Sequence, residues 1–205
     1  MKLFTLPTVR PAALAAGLVL LSTTVQAGPP LICHPFDIGT AKSLPWGSGP
    51  GWNTPASNYD VTRVTADTLN LLETGMPVIV RMETLRRAAI YSSKHPAVAY
   101  ELVARLTAKA LAAEAAGKPD ASAWFDAGYM VETFRQIGFE GKARIAAGVD
   151  GYAWTLKAIR MGGDSASMEF AASLMKEGWP NEHIRKARAT APSGSLLARN
   201  VEKFK

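Results

Sequence analysis

From Asp60 onward apolar residues recur every three or four positions, the period of helices with one buried face. In DVTRVTADTLNLLE, Asp60 to Glu73, the residues Val61, Val64, Thr68, Leu69, Leu71 and Leu72 fall mostly on one side, and Gly75 is placed to end the helix. Pro77 suits the first turn of the next helix, PVIVRMETLRRAAIYSS, with Val78, Met82, Leu85, Ala89 and Ile90 inward. His95-Pro96 opens AVAYELVARLTAKALAAEAAGK, dense in Ala and Leu, the best helix formers, and Gly117 stops it. Asp120 is an N-cap for ASAWFDAGYMVETFRQIG, which ends at Gly138. FEGKARIAAGVDG follows as a connection of ambiguous structure. Asp150 then caps GYAWTLKAIRMGG, Asp164 precedes SASMEFAASLMKEG, Asn181 caps EHIRKARATA, and Ser195 starts SLLARNVEKF. No stretch alternates with a period of two, so no sheet is expected.

Short turns pair these helices as antiparallel hairpins, 60–74 with 77–93, 96–117 with 120–138, 150–162 with 164–177, and 181–191 with 195–204. The predicted fold is all-α, with the hairpins packed as a short solenoid or an irregular bundle over residues 59–205. Trp124, Phe125, Tyr129, Phe134, Tyr152, Trp154 and Phe170 are its core aromatics, and small residues such as Ala127, Gly128, Ala147, Ala171 and Ala172 allow close helix approach.

Trp124 and Trp154 stand 30 residues apart, near the roughly 34-residue tetratricopeptide period. The spacing Trp124…Ala127-Gly128 resembles the start of such a repeat. The resemblance covers about two of the predicted hairpins, and the downstream Ala, Phe and Pro positions of the repeat do not recur in register. It implies a concave face of the kind that binds peptides or proteins. Arg81, Arg86, Arg87, Arg135 and Arg160 are the candidate cationic contacts on such a face.

Residues 28–58 break the helical pattern. Six prolines and Gly39, Gly47, Gly49 and Gly51 fall in this stretch, a density that excludes regular helix. Phe36, Ile38, Leu44, Trp46 and Trp52 make it too apolar for a free linker. It reads as an extended Pro/Gly-rich N-terminal arm that buries its aromatics on the helical body. In the functional alternative, Trp46 and Trp52 are presented to a glycan or peptide.

Residues 1–27 read as a secretory signal peptide: Lys2 and Arg10 form the positive region, Ala12 to Leu21 the apolar one, and Val25-Gln26-Ala27 the cleavage site. The apolar run is too short for a stop-transfer helix, and no second long one follows. The exported chain of 178 residues is enough for one domain with its own core. It carries +4, an excess that sits in residues 176–205 and reads as the wet face of the last helices. Periplasmic or extracellular placement argues against a nucleic-acid role.

Cys33 is the only cysteine, followed by one of three histidines, His34, His95 and His183. Ile32 before it and the upstream cleavage site argue against a lipid anchor, and C-x-x-C-H is absent. The histidines have no metal-ligand spacing, so no cofactor or metal is expected. Apolar neighbours favour packing for Cys33. An intermolecular disulfide, and with it a homodimer, is the second reading in an oxidising compartment.

Ser173-Leu174-Met175-Lys176 matches S-x-x-K without its companion elements. Gly163–Ser167 lacks the last glycine of a nucleophile elbow, and Gly141-Lys142 lacks the upstream glycine of a phosphate loop. Asp126 and Glu132 do not share a helix face as a glycosidase pair would. The function these residues favour is an exported helical-repeat-like protein binding a protein or peptide in the cell envelope. The alternative is an enzyme acting on cell-wall polymer through a carboxylate in a helical cleft, with Glu101, Glu132 or Glu169 as candidates. Intact-mass measurement of the exported protein under non-reducing conditions is expected to give a monomer starting at Gly28; an adduct or a doubled mass gives Cys33 a covalent role instead.

Overall fold

The structure, a computed structural model, describes residues 30–49, 51–73, 75–138, 148–175 and 181–204. Residues 1–27, which the sequence pattern reads as a signal peptide, and most of the FEGKARIAAGVDG connection lie outside the described residues. Within them every regular element is a helix. The order is α1 (Pro30–Cys33), a 3-10 turn (Val61–Arg63) running into α2 (Val64–Leu71), α3 (Val78–Ser92), α4 (Pro96–Ala115), α5 (Ala121–Ile137), α6 (Gly151–Met161), α7 (Ser165–Met175), α8 (Glu182–Thr190) and α9 (Leu196–Lys203). An isolated antiparallel bridge joins Trp46 and Pro55. No helix among the described residues is long and apolar enough to cross a membrane.

The helix starts follow from local hydrogen bonding. The Asp120 carboxylate accepts from the N–H groups of Ser122 and Ala123, Asp150 from Ala153, Asn181 from Ile184 and the Ser195 hydroxyl from Ala198. Asp60 caps the 3-10 turn, through Thr62. Gly138 closes α5 in the left-handed region, at φ +61°, where a side chain would be strained.

Two features depart from the sequence pattern. Residues 30–33 form one helical turn inside the proline-rich arm. Pro30 is its first residue, where the missing N–H costs nothing and the fixed φ suits a helix. The second departure is α3, which is buried on nearly every side, including Arg81, Glu83 and Arg86, instead of showing a wet face. Arm residues 31–59 lie across the side that its charges would otherwise present to water, as the hydrogen bonds below establish.

α5 is the central helix and touches α1, α3, α4, α6 and α7. Contacts α2–α4, α3–α5 and α5–α7 join like members of successive hairpins, as stacking requires. Contacts α3–α7 and α1–α7 skip a hairpin, so the stack closes into a compact bundle. Trp124, Phe125, Tyr129, Phe134 and Phe170 are buried in it, while Tyr152 and Trp154 are half-buried. Trp154 meets Trp124 edge-on at 5.4 Å, and Lys157 Nζ lies 3.7 Å from the centre of the Trp124 ring.

The α5–α6 crossing depends on two glycines in contact. A Cβ on Gly128 would stand 2.6 Å from the Gly151 carbonyl oxygen and 2.9 Å from the Thr155 backbone nitrogen, and one on Gly151 would meet the Gly128 carbonyl. The obstructing atoms are backbone, so the helices themselves would have to separate. Gly128→Ala is therefore expected to destabilise the fold by about 2 kcal/mol, despite the better helix propensity of Ala. Urea unfolding followed by circular dichroism measures it, and an unchanged midpoint would show that the crossing is looser than these distances.

Candidate functional site

The Glu83 carboxylate is buried at the centre of a polar clasp on α3. It accepts hydrogen bonds from the Phe36 N–H at 3.0 Å, from Arg86 Nε at 2.8 Å and Nη2 at 2.9 Å, and from Arg87 Nε at 2.7 Å. Positions three and four apart on one helix place both guanidiniums beside the acid. The free ends of the arginines then reach the arm. Arg86 Nη1 donates to the carbonyls of Ile32 at 3.1 Å and Trp52 at 2.9 Å, and Arg87 Nη1 donates to Leu44 at 2.6 Å. Two guanidiniums against one carboxylate leave a net positive charge, and these carbonyl dipoles face it.

Tyr91, one turn further along α3, donates its hydroxyl to the Pro45 carbonyl at 2.6 Å and accepts from the Ala56 N–H at 2.9 Å. The Trp46 ring lies 5.0 Å from the Arg86 guanidinium, 5.5 Å from that of Arg87, and edge-on to Tyr91. The arm's beginning is tied to the far end of the chain as well. Asn200 exchanges hydrogen bonds with the backbone of Asp37, and Phe36 packs between Phe170 and Phe204.

Beside the clasp, two adjoining clefts open between loop 46–59 and the end of α3. The larger, about 420 Å³, is lined by Asn53, Ser57, Tyr59, Tyr91, Lys94 and His95 among others. The smaller, about 210 Å³, is lined by Cys33, Trp52, Gln136 and Ile137 together with Asn53, Ile90 and Ser93, which the two share. Neither lining contains an acidic side chain. Burial, more than anything else, raises the Tyr59 and Tyr91 phenols; Asp67, which accepts from the Tyr59 hydroxyl at 2.8 Å, adds to the first.

Of the residues singled out from sequence, Trp46, Trp52, Arg86 and Arg87 converge on the clasp, and Cys33 reaches the smaller cleft. Arg81 and Arg86, at 1% and 0% exposure, are interior groups and cannot form an exposed contact face. Arg81 pairs with Asp126 at 2.6 Å and donates to the carbonyls of Met76 and Glu73. Burial pushes the Asp126 carboxyl up to about 7, against the opposing pull of that guanidinium. Arg135 is exposed and occupied with Glu132 and the Val149 carbonyl, and Arg160 is exposed on α6. Trp52 is 37% exposed beside the smaller cleft, and Trp46 is half-buried beneath the arginines. The Cys33 thiol is half-buried and unpaired, and its burial raises its pKa although Arg86 nearby works the other way.

None of the three candidate carboxylates lines either cleft. Glu132 accepts from the Tyr152 N–H at 3.0 Å and so caps α6. Glu169 holds His183 Nδ1, whose other ring nitrogen lies 2.6 Å from the Tyr152 hydroxyl, an acid–imidazole–phenol chain joining α6, α7 and α8. Glu101 is exposed on α4. Among the described residues no group of three His, Cys, Asp or Glu is placed to hold a metal ion. Sequence reasoning missed Glu83, although its spacing to Arg86 and Arg87 signalled a charged cluster; it also missed Asn53, Tyr91 and Lys94 as cleft walls. No family model, curated protein or solved structure matches the chain.

Among the described residues Glu83 is the only carboxylate paired with Arg86 and Arg87, and Glu83→Gln removes it. A cost of about 3 kcal/mol is expected, because a fully buried arginine loses its counter-charge. Limited proteolysis should then cut between residues 38 and 57 under conditions that leave the wild-type arm intact. Resistance equal to wild type would show that the apolar contacts alone hold the arm.

Proposed function

We propose that this is an exported all-α protein of the periplasm or extracellular space that binds a peptide segment of an envelope protein. The binding place is the pair of clefts between loop 46–59 and the end of α3. The observation that carries this reading is the character of their walls. Asn53, Ser57, Lys94 and His95 make no side-chain hydrogen bond within the described residues and stand around an aromatic floor, while a buried clasp fixes the loop in place. Fixed walls lower the ordering cost of binding. Lys94 and the absence of acids suit a segment bearing a carboxylate, and Trp52, Ile90 and Ile137 suit an apolar side chain next to it.

A photo-crosslinking residue in place of Trp52, in protein exported by its own cells, is expected to capture a discrete adduct. The same residue in place of Arg160, on exposed α6, should not. Adding Lys94→Glu should weaken the Trp52 adduct at least tenfold. Equal capture at both positions, no adduct at Trp52, or indifference to Lys94→Glu would each sink the proposal.

A further inference from the structure

We propose that α4 is a self-association surface on which two copies of the chain pair antiparallel about a two-fold axis at Leu106. The inner side of α4 is occupied: Ala99, Leu102, Leu106 and Ala110 are at most 1% exposed and face α2 and α5. The outer side is apolar along the helix, with Ala97, Tyr100, Ala104, Ala108, Leu111 and Ala115 all exposed. Tyr100 at 42% and Leu111 at 53% are two of the three exposed large hydrophobics among the described residues; the third, Trp52, belongs to the cleft. Ordinary amphipathic helices put charge at such positions.

The second copy is indicated as the occupant by the order of these residues. A two-fold interface requires that each residue meet its counterpart reciprocally. Ala97 and Ala115 lie equally far on either side of Leu106, and so do Ala104 and Ala108. Antiparallel pairing about that point sets each alanine against an alanine, small against small, where helix backbones can approach closely. It also brings Tyr100 along one rim beside Leu111 of the partner subunit, twice, so the two large exposed side chains cover each other. The other rim carries Glu101 and Arg105 from each copy, an i,i+4 pair with no net charge. The stripe repeats at 11 residues, Ala97 to Ala108 and Ala104 to Ala115, so it drifts by only about 20° around the helix over each repeat.

The length fixes the strength expected. Ala97 to Ala115 spans about 27 Å of helix. A contact one helix wide over that distance buries about 1,000 Å² in total, the lower end of specific interfaces. An interface of that size belongs to the small, weak class, and the dimer needs neither Cys33 nor the clefts.

Disulfide trapping in the Cys33→Ser background tests both pairing and direction. Ala97→Cys combined with Ala115→Cys should give a covalent dimer on mild oxidation. Either substitution alone should not, since antiparallel pairing holds like residues about 27 Å apart. Sedimentation velocity of the full exported chain should show a concentration-dependent dimer that Ala108→Glu weakens at least tenfold and Arg160→Glu leaves unchanged, with circular dichroism confirming intact helices. Single-cysteine variants linking as readily as the double variant would overturn the proposal in favour of parallel or random contact. A chain that stays monomeric through hundreds of micromolar would overturn it outright.

Discussion

The Glu83 carboxylate, 1% exposed, receives hydrogen bonds from two arginines of its own helix and one backbone N–H of the arm. A charge so deep would be expelled or neutralised without such partners. Its presence explains how α3 can bury the Arg86 side chain completely. The arginines gain from it a fixed direction: their remaining N–H groups point at the carbonyls of Ile32, Leu44 and Trp52. An arm poor in regular structure has many backbone groups to satisfy, and here side chains of a helix satisfy them.

The consequence extends from packing to the clefts. Loop 46–59 is bound through backbone groups, through the Trp46 ring close to both guanidiniums, and through Tyr91 bridging Pro45 and Ala56. The side chains of Asn53, Ser57 and Trp52 are left to line open space. The residues that hold the loop and those available to a ligand are thus different sets. Arg86, which the chemistry of arginine suggests as a contact residue, belongs to the first set; Lys94 belongs to the second. The Glu169–His183–Tyr152 chain plays a comparable holding part at the other end, joining α8 to the helices before it.

Much of the fold was legible because its signals are local. Asp120, Asp150, Asn181 and Ser195 cap helices where a short acceptor side chain precedes an apolar periodic run, and Gly138 ends α5 where a left-handed residue is needed. The arm's apolar content pointed to contact with the body. The one-turn helix at Pro30 was missed because proline density was weighed without regard to position: proline opens a turn as readily as it breaks one. Arg81 was misplaced for a different reason. Its partner Asp126 is 45 residues away on α5, and no spacing rule connects the two.

By itself the sequence determined the helical class, the positions of most helix ends and the four hairpins, since capping, periodicity and glycine stops act within a few residues. It also determined that Glu83, Arg86 and Arg87 would sit together on one helix. Only the tertiary structure decided that this charged side would be covered, because the segment covering it lies 34 to 54 residues earlier in the chain and approaches through backbone groups. The clefts were decided at that same level. They are spaces between a loop and a helix end, and a space is specified by the placement of its walls in three dimensions.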